Sequence, residues 1–222
     1  MNLKFILRLF GKDYTPDPDL PKKLIIRTLL IRFIYLLVGL IKFRKSVFIS
    51  PSANIINKKN LRLGKNSTIE DNVYIDCFAS QECVIGKGTK IGSYSKISST
   101  SHLTKFGKGF KIGDGCGISE FSYFGSAGGI TIGDNVIMGQ YVSFHSQNHS
   151  FDIKKNFKEQ NATSKGIKIG SNVWIGAKVT ILDGVIINDN SVIGAGSLVN
   201  NSFPSNILIA GVPARIIKKL DE

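Results

Sequence analysis

From Ile169 to Val199 the chain reads IGSNVWIGAKVTILDGVIINDNSVIGAGSLV, and an aliphatic residue returns at every sixth position: Ile169, Ile175, Ile181, Ile187, Ile193 and Val199. The same beat runs through Leu63, Ile69 and Ile75, through Ile85, Ile91 and Ile97, through Ile112 and Ile118, and through Ile132, Met138 and Phe144. Four residues after most of these stands a small or β-branched residue, among them Ser67, Val73, Thr89, Ser95, Cys116, Ser122, Val136, Val142, Val173, Val179, Val185, Ser191 and Ser197. In extended chain a two-residue offset puts both side chains on one face, so each hexad turns one large and one small residue inward. Glycine directly after the aliphatic, as at Gly64, Gly86, Gly92, Gly113, Gly133, Gly139, Gly170, Gly176 and Gly194, is expected to supply the backbone conformations of a corner. A bend every six residues closes a triangular coil of about eighteen, and such coils stack about 4.8 Å apart through strand hydrogen bonds. A helix needs a period of 3.6, and no alternation of helical segments interrupts the beat. The expected fold is all-β, a parallel β-helix over residues 47–203, with an extension on either side at 1–46 and 204–222.

Breaks in the period mark insertions, where function concentrates. The largest runs from His145 to Gly166, and smaller ones occupy 98–111, which holds His102, and 125–131. The C-terminal Val212-Pro213-Ala214-Arg215-Ile216-Ile217-Lys218-Lys219 leaves the repeat as a short helix or strand. Cys83 and Cys116 fall in the small inward slot and read as buried structural thiols, while Cys77 has no distinguishing neighbour. Three cysteines without metal spacing suggest neither a metal site nor a disulfide framework.

The formal charge of +13 over 222 residues is uneven, for residues 1–62 hold thirteen Lys or Arg against three Asp. That basic block surrounds an apolar run, Leu24 to Ile41, interrupted by Arg27, Thr28 and Arg32 and flanked by Lys22, Lys23, Lys42, Arg44 and Lys45. As a helix it gathers Ile25, Ile26, Leu29, Leu30, Phe33, Leu36, Leu37 and Leu40 on one face, opposite Arg27, Thr28, Arg32, Tyr35 and Lys42. Two arginines at the bilayer centre would cost roughly 2.5–3.5 kcal/mol each, which argues against a spanning helix. Two other readings stay open: a helix lying in a membrane interface through residues 22–45, and one packed on the protein or on a neighbouring subunit. Nucleic acid is not the expected partner, because the cations alternate with aliphatics and no recognition motif accompanies them. Met1 to Phe10, broken by Arg8 and lacking a cleavage site, does not read as a signal peptide, so a cytoplasmic location is expected.

Five pieces in fixed order carry a resemblance: Gly129-Ile-Thr-Ile-Gly-Asp-Asn-Val136, Asn148-His149-Ser150-Phe151-Asp152, Ile169-Gly-Ser-Asn-Val-Trp-Ile-Gly176, Ile193-Gly-Ala-Gly-Ser197 and Ala210-Gly211-Val212-Pro213-Ala214-Arg215. Over roughly residues 110–219 the chain resembles the hexapeptide-repeat acyltransferases, in the branch of maltose, galactoside and nodulation acetyltransferases and polysaccharide O-acetyltransferases. The resemblance implies a left-handed β-helix, a homotrimer with sites between neighbouring subunits, acetyl-CoA as donor and no metal. It implies that His149 is the general base on an acceptor hydroxyl, a task suited to imidazole near neutral pH. By the same resemblance Trp174 packs beside the acyl group and pantetheine arm, and the Ala177 N–H supports the thioester oxygen next to Gly176. Ala195 and Gly196 let the pantetheine run close to the coils, and Arg215, helped by Lys218, pairs with CoA phosphate.

His145 is either a wall of the acceptor pocket, with Asn148, or a residue of the loop base; Asp152 and Glu120 either orient the imidazole and hold sugar hydroxyls or are solvated carboxylates. The family's Thr-Lys after the last coil is replaced by Asn200-Asn201. The basic apolar N-terminus looks like that of membrane-associated polysaccharide O-acetyltransferases, which points to a glycan acceptor and a seat at the cytoplasmic membrane face. The rival readings are N-acetylation of an amino sugar, a zinc-dependent hydratase using His102, His145 and His149, and a non-catalytic scaffold.

Overall fold

The computed structural model describes residues 17–100 and 106–220, and His102 and the first ten residues lie outside them. The chain forms a left-handed parallel β-helix with three sheets, one per prism face. Strands from Phe48–Ile49 to Val192–Ile193 stack on the first face, Asn54–Ile56 to Leu198–Val199 on the second, and Leu61–Leu63 to Ile186–Ile187 on the third. Register follows the six-residue beat. Ile69, Ile91, Ile118, Met138, Ile175 and Ile193 lie directly over one another on the first face, and Ile97, Phe124, Phe144, Ile181 and Val199 on the second. All are buried, and so are the small residues of the alternate inward slot. The strand Ile207–Gly211 continues the first face beside Val192–Ile193, then turns back as the antiparallel strand Ala214–Lys219.

The corners correct the expectation for glycine. Left-handed φ occurs three residues after the aliphatic, at Asn66, Asn135, Asn172 and Asn190 on one edge and at Asn72, Tyr94, Phe121, Tyr141 and Lys178 on another. The glycines that directly follow the aliphatics are there for proximity. A Cβ on Gly176 would lie 2.5 Å from the Ala195 nitrogen, and one on Gly64 would lie 2.3 Å from the Lys87 nitrogen. Coil spacing, fixed by the strand hydrogen bonds, leaves no room for a side chain there. Tyr94, Phe121 and Tyr141, which pay for left-handed backbone, stack in sequence with centroids 5.1 Å apart, a contact that offsets part of that strain.

The thiols need a second correction. Cys83 and Cys116 are buried, and so is Cys77, whose neighbour is the Cys83 thiol. Interaction with the Cys83 thiol, and then burial, hold Cys77 above the ordinary thiol range, so it stays neutral.

The helix α1, Lys22–Phe43, packs on the first coil. The side bearing Arg32, Tyr35 and Gly39 faces the prism, with Val38 and Phe43 packed against the core beside it. Tyr35 and Gly39 are its buried residues, the Arg32 guanidinium lies 4.0 Å from the centre of the Phe48 ring, and the Tyr35 hydroxyl donates to Asp71 at 2.6 Å. Hydrogen bonds from Ser50, then Tyr35, hold the Asp71 carboxyl below its usual pKa, while burial first and Asp71 second push Tyr35 up to about 12. The apolar side, with Ile26, Leu30, Phe33, Leu37 and Leu40, is exposed. Mean hydropathy over its most apolar window is 2.3, with 11% of that window buried, so it is long and apolar enough to cross a membrane by length and composition.

Candidate active site

The insertion leaves the prism after the strand Ser143–His145 and returns at Ile167–Ile169, between the second and third faces. Within it Asn148–His149 pairs antiparallel with Ala162–Thr163, so the imidazole sits on a short hairpin rather than on a free loop. Ser150 closes the hairpin by donating from N–H and Oγ to the Asn161 carbonyl, at 3.2 and 3.0 Å. Gln160 straps the tip, accepting from Asp152 N–H and donating to the carbonyls of Asp152 and Lys155. The Asp152 carboxylate accepts the Lys154 N–H at 3.0 Å, so it caps its own turn. His145 lies at the base of the insertion with its ring tilted on Tyr123, centroids 5.6 Å apart.

His149 lines a cleft of about 470 Å³ with Asn148, Ser150, Phe151, Thr163, Lys165 and Asp183. Of these, sequence reasoning singles out only His149 and Asn148 as site residues. Ser150 and Phe151 follow them on the hairpin, while the others come from the far end of the insertion and the next coil. Periodicity carries no signal for that second group, because Asp183-Gly184 occupies outward corner positions that leave the order of Ile181, Val185 and Ile187 intact, and Lys165 is marked only by its place at the loop's return.

Trp174 projects from the first face, 55% exposed, stacked between Ile137 and Val192. With Asn135, Asn172, Asn190 and Leu220 it lines a second cleft, of about 420 Å³, that shares no lining residue with the His149 cleft. Gly176, Ala177, Ala195 and Gly196 follow at the corner between the first and second faces, and Glu120 stands half-buried on the same corner. Arg215 and Lys218 lie on the last strand of the first face, with Arg215 Nη1 donating to the Ala214 carbonyl at 2.8 Å.

The two corners beside the first face differ in how their amides are satisfied. Between the third and first faces, the N–H of Lys87, Asp114, Asp134 and Ser171 each donates to an Asp or Ser side chain of the next coil, at 2.7–3.0 Å. At the opposite corner the N–H groups of Ala177 and Ala195 meet no acceptor among the described residues. Ala177 is half-buried and Ala195 exposed, so these two are open donors on a surface trimmed to alanine and glycine.

Residues 166–201 match the family described as bacterial transferase hexapeptide (six repeats). Galactoside O-acetyltransferase of Escherichia coli K12 is 44% identical over 95 residues, covering 42% of the chain and 45% of the relative. A putative lipopolysaccharide biosynthesis O-acetyl transferase of Escherichia coli K12, WbbJ, is 36% identical over 126 residues, covering 53% of the chain and 64% of the relative. The chain thus spans about half the length of these curated relatives. Among solved structures, a point mutant of AntD, an N-acyltransferase from Bacillus cereus in complex with dTDP and coenzyme A, shares the fold at a TM-score of 0.52. Its identity is 22%, over 79% of this chain and 82% of that one.

Proposed function

We propose that the chain is an acetyl-CoA-dependent O-acetyltransferase acting on a sugar hydroxyl of a surface glycan or its precursor. The observation that carries this reading is the division of the site: the His149 cleft opens at one corner, and the Trp174 face with its open Ala177 and Ala195 amides lies at another. One copy supplies a base without a donor track, and a donor track without a base. A cyclic assembly of identical chains joins unlike surfaces of neighbours and closes both halves at once. We assign three such composite sites to a homotrimer.

In this site His149 accepts the proton of the attacking hydroxyl while its oxygen adds to the thioester carbonyl. The Ala177 N–H donates to the carbonyl oxygen as it gains charge. The C–S bond breaks, and the proton held by His149 passes to the departing thiolate, so the imidazole ends neutral. Trp174 flanks the acyl group, Ala195 and Gly196 let the pantetheine lie close, and Arg215 and Lys218 face the CoA phosphates.

The outward apolar face of α1 and its collar of Lys22, Lys23, Arg27, Lys42, Arg44 and Lys45 support a seat in the interface of an anionic membrane, on the cytoplasmic side.

The test is release of CoA thiol by the full chain across a panel of glycan acceptors. His149→Ala is expected to lower turnover by about 10²–10⁴-fold with acetyl-CoA binding retained. Turnover equal to the parent, or a product that resists hydroxylamine, overturns the base or the ester respectively.

A further inference from the structure

The cleft around His149 holds one cation that the transfer chemistry does not use. Lys165 lines it, and its aliphatic stem lies along Gly184: a Cβ at that glycine would stand 3.0 Å from Lys165 Cδ, 3.6 Å from Cβ and 3.9 Å from Cγ. Gly184 has φ +83, so both its backbone and its missing side chain suit this placement.

The carboxylate closest to this stem is already engaged. Asp183 accepts the backbone N–H of Lys165 at 2.9 Å on each oxygen and that of Gly166 at 2.7 Å. Among the described residues no carboxylate lies within ion-pair distance of the Lys165 ammonium. In sequence the insertion that forms the cleft carries Lys154, Lys155, Lys158 and Lys165 against Asp152 and Glu159, so its net charge is positive. The remaining lining is suited to a sugar: the hydroxyls of Ser150 and Thr163, the amide of Asn148 and the ring of Phe151. An ammonium on a flexible stem, unpaired beside hydroxyl-binding groups, attracts an anion.

We infer that Lys165 selects an acceptor sugar bearing an anionic group, a phosphate or a carboxylate, next to the hydroxyl presented to His149. The inference deepens the acetyl-transfer reading and rests on it for the identity of the reacting atom.

The experiment compares a hexose 1-phosphate, a hexuronic acid and the matching neutral methyl hexoside as acceptors, by CoA release, with the parent chain, Lys165→Met and Lys165→Arg. Met keeps the stem over Gly184 and removes the charge. The ratio of kcat/KM, charged over neutral, is expected to exceed one in the parent, to fall by about 10- to 100-fold in Lys165→Met through KM, and to be largely kept in Lys165→Arg. The phosphate and uronate arms separate the two sources of charge. Calorimetric binding of the hexose 1-phosphate is measured alongside. CoA release that depends on His149 with a ratio indifferent to Lys165 sinks this inference and leaves the acetyl-transfer reading standing. Absence of any His149-dependent release sinks that reading instead, and hexose 1-phosphate binding that is equal in the parent and Lys165→Met then overturns the assignment of Lys165 as well.

Discussion

Phe124 and Phe144 lie directly over one another on the second face, fully buried, with ring centroids 4.8 Å apart and planes 14° from parallel. They are the widest rungs of an otherwise aliphatic ladder, and Phe144 immediately precedes His145, where the insertion leaves the prism. Truncating either ring to alanine removes a buried aromatic side chain and leaves a cavity that neighbours in strand register cannot fill, at about 3–5 kcal/mol each. The rings also touch one another, and aromatic pairs of this kind contribute roughly 0.5–1.5 kcal/mol beyond their burial. Phe124→Ala with Phe144→Ala should therefore cost less than the sum of the single changes by that amount. Urea unfolding followed by far-ultraviolet circular dichroism, at one protein concentration, measures the cycle. If the double variant does not fold, the corresponding leucine pair gives the coupling with the same sign. Additivity within about 0.3–0.5 kcal/mol would refute the stacked-rung account, because residues without contact add. A functional arm accompanies it: at a temperature where both single variants are folded, Phe144→Ala should lower CoA release more than Phe124→Ala, since its cavity adjoins the base of the hairpin.

The Tyr35–Asp71 bond sets a pH window for helix docking. Tyr35 is raised from 10.0 to about 12, so its contribution is complete below the unfolded value and lost as pH climbs through the folded one; Asp71 is lowered, so its contribution holds above its unfolded value and fades as acid titrates the carboxylate. Following the phenolate absorbance of the parent against Tyr35→Phe checks the upper limit, and an ordinary tyrosine titration at this residue contradicts it. Gly39→Ala places a Cβ 2.0 Å from the Val47 carbonyl oxygen, so the helix must lift; limited proteolysis at α1 should quicken, with a loss of about 1–3 kcal/mol in unfolding. Leu30→Asp combined with Phe33→Asp should abolish flotation with anionic vesicles while circular dichroism is unchanged, and undiminished flotation removes the membrane seat. Trp174→Ala should raise KM for acetyl-CoA about tenfold, and an unchanged KM would leave Trp174 as surface packing alone.

The architecture was legible because hexad periodicity is a local property. Two inward residues per six and a bend between them act on every coil alike, so Ile69 through Ile193 are placed by their own spacing. The position of the insertion was legible for the same reason, as an interruption of the beat between Phe144 and Ile167. What periodicity does not encode is which neighbour a residue meets. Glycine after an aliphatic, as at Gly64 and Gly176, looked like a hinge in one dimension and proved to be a clearance in three, because the constraint comes from the adjacent coil. Cys77 had no pattern around it, and its neighbour Cys83 is brought near it by the turn between the second and third faces.

By itself the sequence also divided α1 into a polar and an apolar side, without saying which one the protein would keep. Tertiary structure decided this by pairing Tyr35 with Asp71 and seating Gly39 on Val47, which turned Arg32 and Tyr35 inward and left Ile26, Leu30, Phe33, Leu37 and Leu40 outside. It likewise set His149 and Trp174 in separate clefts, a fact no spacing predicts, since which face a residue occupies depends on how many residues each intervening coil has gained. Periodicity determines where a side chain points within its own coil; only the stacked coils, with their insertions, determine what stands opposite it.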